Sequence, residues 1–225
     1  MLSVRLITIA RMVPTVKTVA DIGCDHGKIA VWLVENGVAQ TAVCCDLSGP
    51  SLDKARRLAE AKGQKERILM REGSGFDVLE QGEVQAAVIA GMGGELIADI
   101  LDEGGCKVPQ YLILSSNKAP WAVRRKLCGM GFSIEDEQLV LERRKYYPVI
   151  RAKRGKARTL SDIELELGPV LLEKRPELLK KYILDLIKQA KTIRDEIEKS
   201  KAPEMHVLRE MDRRQKNYSE VLKCL

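Results

Sequence analysis

The segment VADIGCDHG, residues 19–27, ends an apolar run in an acidic turn carrying two glycines. Gly23 and Gly27 leave the backbone bare, so a ligand can approach it closely. A pyrophosphate is a poor match. Asp21 puts a carboxylate where phosphate oxygens would lie, and the spacing is GxxxG rather than GxGxxG. A ligand bearing an ammonium group or hydroxyls suits it better. Asp46 closes a second apolar run, TAVCCD, and an acidic residue there can accept both hydroxyls of a ribose. The same side chain can instead cap a helix beginning near Ser48. In EGSGF, residues 72–76, Ser74 offers a hydroxyl to a base edge between two glycines. In AGMGG, residues 90–94, three glycines in five residues demand close backbone approach or unusual dihedrals. A nucleoside with a cationic centre fits this set, and S-adenosylmethionine (SAM) fits best. Its expected contacts are Asp21, Gly23, His26, Asp46, Ser74 and Ala90. His26 has an alternative part as a hydrogen-bonder that only shapes the turn.

The elements that must position these residues follow from the spacing of apolar runs. Residues 18–23, 41–46, 67–72, 86–91 and 111–116 read as buried parallel strands. Helical patterns lie between them at 28–36, 49–63, 94–103 and 120–129, which implies βαβ units and a doubly wound sheet. All four ligand segments then fall at C-terminal strand ends. After Gly131 the pattern changes to two strands, FSIEDEQLVLE and YYPVIRAK, with no helix between them. An amphipathic helix ending near Pro14 precedes the first strand, and Arg5 and Arg11 break it too much for a signal peptide.

Charge divides the chain. Residues 1–142 hold 16 basic and 19 acidic residues, net −3, whereas residues 143–225 hold 22 basic and 13 acidic, net +9. The run RRKYYPVIRAKRGKAR, 143–158, has no acidic residue and suggests a polyanionic partner, most simply nucleic acid. A solvated helical surface is the alternative. SDIE, 161–164, fits a capping box. Two heptad-like stripes follow, one from Leu179 to Ile197 and one from Leu208 to Leu222, with KAP (201–203) as the break between them. They predict an antiparallel helical hairpin. No apolar run approaches the ~20 residues that span a bilayer. Six scattered cysteines without a CxxC pair argue against zinc and against a disulfide framework. A monomeric, cytoplasmic protein without membrane or metal partners is expected.

With these segments in order, the chain resembles one family: the bacterial tRNA adenine-N1 methyltransferases that modify adenine 22 in the D-arm (TrmK family). The similarity lies in RLITIARMV, the DIGxDH turn, AGMGG with the following ELIADIL, Asn117, VRRKL, and LGPVLLEKRPELLKKYI with the helical hairpin. It runs essentially from end to end. Departures are Cys24, Ser74 where an Asp is usual, LSSNKAP (114–120) and YYPVI (146–150). The resemblance implies an α/β fold: a class I SAM-methyltransferase Rossmann-like sheet, residues 1–158, with a C-terminal antiparallel, coiled-coil-like helical hairpin, residues 159–225, that braces tRNA. It implies methyl transfer to adenine N1, whose lone pair is already nucleophilic at neutral pH. No general base is then required, and Gly91, Met92, Gly93 and Asp25 would act by positioning. A paired adenine hides N1, so the base must be unpaired or extruded. Phe76, Trp121, Tyr146 and Tyr147 are candidate stacking platforms. Arg5, Lys28, Asn117, Lys118, Arg124, Arg143, Arg144 and Tyr146 are the expected RNA contacts. Two other readings compete: a SAM-dependent enzyme with a different RNA, protein or small-molecule acceptor, and a non-enzymatic RNA-binding module.

Overall fold

The computed structural model describes residues 2–199 and 204–225. Seven strands form one sheet in the order β3-β2-β1-β4-β5-β7-β6. They are β1 (Val16–Ile22), β2 (Ala39–Asp46), β3 (Ile68–Glu72), β4 (Ala86–Ala90), β5 (Tyr111–Ser115), β6 (Phe132–Glu142) and β7 (Lys145–Arg154). The first five are mutually parallel. β7 is antiparallel to both β5 and β6. The strand order reverses between β1 and β4, and ligands bind outside the strand ends at such a switch point.

The crossovers use α2 (Lys28–Glu35), α3 (Gly49–Ala61), α4 (Gly94–Gly104) and α5 (Pro120–Gly129), preceded by α1 (Val4–Met12). Two apolar layers cover the sheet. Ile9, Met12, Leu33 and Val88 belong to one, and Ile22, Phe76, Ile97 and Leu112 to the other. The central parallel strands β1, β4 and β5 are buried on both faces along most of their length, which is why their sequences run apolar, whereas β3, expected to be buried, is an edge strand with Leu69 exposed.

Further on come α6 (Asp162–Leu167), α7 (Pro169–Lys174), α8 (Glu177–Glu198) and α9 (Met205–Cys224). Ser161 opens α6 through the capping box expected from SDIE, with Glu164 returning to the Ser161 N–H at 2.9 Å. The Arg158 guanidinium beside Glu164 holds its carboxyl down at about 2. The chain divides into two compact units, one ending at Val170 and the other beginning at Leu171. Within the first unit, Arg124 ties the α6 carbonyls to α5.

That tie also corrects a site expectation. Arg124, expected on the RNA face, is 0% exposed. Its Nε donates to Glu137 Oε1 at 2.7 Å, and its Nη1 donates to Leu165 O at 2.8 Å and Glu166 O at 3.0 Å. A guanidinium so buried and paired cannot reach phosphate. Phe76 is likewise 1% exposed in the core and cannot serve as a base platform.

In the second unit, α8 buries Leu179, Ile183 and Ala190, and α9 buries Met211 and Tyr218. Arg194 Nε of α8 donates to Asp212 Oδ1 of α9 at 2.8 Å. The KAP break lies outside the described residues. Among the described residues no helix is long and apolar enough to cross a membrane.

Candidate active site

A cleft of about 720 Å³ opens at the C-terminal ends of β1, β2, β3 and β4, a size suited to a small-molecule ligand. It is lined by Asp21, Gly23, Asp25, His26, Asp46, Ser74, Ala90, Gly91 and Met92, and by Arg5 and Lys28 from the set expected to touch RNA. The three glycine-bearing segments and Asp46 are thus brought to one place.

Asp46 is oriented by the backbone on both oxygens. Oδ1 accepts from Ser48 N at 2.9 Å and Oδ2 from Asp25 N at 3.1 Å. An ionised carboxylate offers about four lone-pair sites, so two remain for a ribose diol. Helix capping falls to Ser48, whose hydroxyl accepts from Ser51 N. Asp25 adopts φ 48° to bring its N–H to Asp46. Its carboxylate lies 3.4 Å from His26 Nε2, and both side chains remain substantially exposed.

Asp21 is 4% exposed. Burial lifts its carboxyl to about 7; the Ala30 N–H, donating at 3.3 Å, opposes this, and the Asp46 charge adds to it. A cationic group entering the cleft would restore its ionised form. Burial also pushes the Cys45 thiol up to about 12, so this cleft-lining thiol stays protonated at neutral pH.

The AGMGG loop is zipped to the chain that follows β5. Gly91 N donates to Ser115 O at 3.1 Å, Asn117 N to Met92 O at 2.8 Å, and Gly94 N to Lys118 O at 2.9 Å. A Cβ on Gly94 would lie 2.1 Å from Ala119 O, so only glycine permits this approach. A Cβ on Gly91, at φ +88°, would meet open space, which leaves that side free for a ligand. The glycine at 94 therefore serves the backbone, and the one at 91 faces the cleft. Gly93 is the N-cap of α4 and lies beside the Lys118 side chain.

Sequence reasoning missed Leu47 and Ile100, both cleft-lining. Leu47 is 73% exposed, an apolar side chain held in water beside Asp46. It lines the cleft next to Asp46 and leaves an apolar surface open to a ligand there. Its signal was an apolar residue directly after a strand-ending acid. Of the remaining expected contacts, Arg143 and Arg144 are exposed in the β6–β7 turn at φ 49° and 64°. Tyr146 stands opposite Leu141 on that hairpin, and Trp121 carries Arg125 over its ring at 5.0 Å.

This donor set suits SAM: a carboxylate for the ribose, a buried carboxylate for the ammonium, apolar contacts for adenine and a bare glycine beside the acceptor side. With the parallel sheet closed by an antiparallel strand pair, the fold and cleft define a class I SAM-dependent methyltransferase. The TrmK family model, tRNA (adenine(22)-N(1))-methyltransferase, matches residues 19–217, and the chain belongs to this family. The chain is 35% identical over 193 residues to the tRNA (adenine(22)-N(1))-methyltransferase of Bacillus subtilis, covering 82% of this chain and 81% of that protein. The crystal structure of the B. subtilis m1A22 tRNA methyltransferase TrmK superposes with a TM-score of 0.89 at 30% identity, covering 99% of both chains. Streptococcus pneumoniae Sp1610, solved in complex with S-adenosyl-L-methionine, gives 0.88 at 28% identity, covering 99% of this chain and 100% of that one.

Proposed function

We propose that this chain methylates N1 of adenine 22 in tRNA, taking the methyl group from SAM. The observation that carries the reading is the juxtaposition of the Asp46 carboxylate with the open side of Gly91 in one cleft. When bound, SAM supplies an electrophilic methyl group. The residues of the chain then have three tasks. Asp46, Asp21 and Leu47 hold the cofactor. Gly91, with open space where a Cβ would stand, gives the base a bare backbone surface, and Met92 and Gly93 carry that backbone on to α4. The Gly91 and Met92 carbonyls, each held by an N–H of Asn117, would add negative dipole ends to the surroundings of a base that becomes cationic on methylation. Asp25 and Asp46 add to the negative field. No side chain needs to remove a proton, since the N1 lone pair is free.

RNA would be gripped by Lys118, Arg143 and Arg144, all exposed, with Tyr146 beside them. The basic C-terminal unit would brace the tRNA body as an antiparallel helical pair, reading shape rather than sequence. A cytoplasmic site of action follows from such a substrate. The test is incubation with labelled SAM and unmodified bulk tRNA, with nucleosides resolved by mass spectrometry. N1-methyladenosine is expected. Incorporation only as another methylated nucleoside, or none with SAM bound, would overturn the assignment.

A further inference from the structure

Arg5, the second residue of α1, is not a free surface cation. Its backbone N–H donates to Glu142 Oε1 at 3.2 Å, which seats the start of α1 against the end of β6. Its guanidinium lies 4.6 Å from the centre of the Tyr147 ring. Its Nη1 donates to Asn117 Oδ1 at 3.3 Å. Asn117 in turn donates from Nδ2 to Gly91 O and from its backbone N to Met92 O. A guanidinium only donates and a carbonyl only accepts, so this chain of contacts permits a single orientation of the Asn117 amide. The flipped amide would set NH₂ against guanidinium and oxygen against oxygen.

The consequence lies at Gly91. That residue has no Cβ to restrain it and sits at φ +88° with open space beside it. Its peptide direction depends on the hydrogen bonds at either end. Without Arg5, the exposed Asn117 amide can turn and satisfy itself with water, and the Gly91 carbonyl loses its donor. We infer that Arg5 is a positioning residue for methyl transfer, acting through Asn117 to fix the Gly91–Met92 peptide beside the acceptor base rather than gripping RNA itself. This rests on the reading that the acceptor base sits against residues 90–94.

The test is a double-mutant cycle of wild type, Arg5→Ala, Asn117→Ala and the double variant. It is read as the single-turnover methylation rate at saturating SAM and unmodified tRNA. Each single variant is expected to lose about tenfold in rate, within the range by which misplacement slows a reaction. The double variant should lose no more than either single one, because coupled residues are not additive. Affinity for SAM and for tRNA should stay within about twofold of wild type, the order of change that leaves binding intact. Arg5→Lys should restore the rate only in part, since an ammonium keeps a donor but not the guanidinium plane over Tyr147 that aims it at Asn117. Independent losses that multiply, with weaker tRNA binding, a shallower salt dependence and full rescue by lysine, would show a phosphate contact and overturn the proposal. A fall in melting temperature or SAM affinity that accounts for the whole rate loss would overturn it too. Wild-type protein that makes no N1-methyladenosine would instead refute the reading on which it rests.

Discussion

Asp21 should make cofactor affinity depend on pH, and the expected size of the effect follows from its burial. With its carboxyl lifted to about 7, roughly nine in ten molecules carry it neutral at pH 6 and roughly one in ten at pH 8. If only the ionised form holds the SAM ammonium, the apparent Kd scales as the inverse of the competent fraction. The penalty is about 11-fold at pH 6 and about 1.1-fold at pH 8, a difference near tenfold or about 1.4 kcal/mol. Calorimetric titration of SAM from pH 6 to 8 should show this tightening in wild type. In Asp21→Asn it should vanish, apart from any slope both proteins share from the ligand's own titration. Stability of the ligand-free protein moves the other way. The folded-state value lies above the ordinary 3.8, so the contribution of Asp21 is fully present below about pH 3.8 and lost as pH rises through about 7. At pH 8, Asp21→Asn should therefore raise the melting temperature, with a ceiling on the order of 4 kcal/mol for complete burial of the charge. Parallel pH dependence of SAM binding in the two proteins would refute the assignment of Asp21 to the ammonium.

Asp46→Ala should weaken SAM binding by about 1–3 kcal/mol, the scale of hydrogen bonds to a charged group; calorimetry showing unchanged affinity would remove it from the ribose site. Arg124→Ala should destabilise the fold by about 3–5 kcal/mol, because it strands the Glu137 charge in the interior. Denaturant unfolding measures that loss, while tRNA affinity of the folded protein should not change. Charge reversal at Arg143 and Arg144 should lower tRNA affinity and flatten its salt dependence while sparing SAM binding. A salt slope equal to wild type would place those arginines away from RNA.

Strand-ending acids and glycine clusters were legible in sequence because each acts through its own short segment. Asp21, Asp46 and AGMGG announce a cleft wherever a parallel sheet aligns their strand ends. The partners of each side chain were not legible, because they come from distant segments. VRRKL reads as a basic helix face, yet Arg124 is claimed by Glu137 on β6 and by carbonyls of α6. Its neighbour Arg125 stays exposed over Trp121. The basic run 143–158 is spent in several ways: Arg151 pairs with Glu135, and Arg154 donates to Val108 O and lies over Phe132. Lys145 and Lys156 are exposed, and its turn leaves Arg143 and Arg144 exposed as well. That turn needs positive φ at both residues, which a sequence with glycine or asparagine would have advertised and Arg-Arg does not. Leu47 escaped notice because one exposed leucine carries no periodic signal.

The most direct test of the central claim maps the methyl group within a defined tRNA. An unmodified transcript with adenine at position 22, and one with guanine there, are incubated with the protein and SAM, and reverse transcription locates the block that an N1-methyl group imposes. A stop at position 22 in the first transcript and none in the second is the predicted result. A stop at any other adenine, or one that survives the substitution, would contradict it.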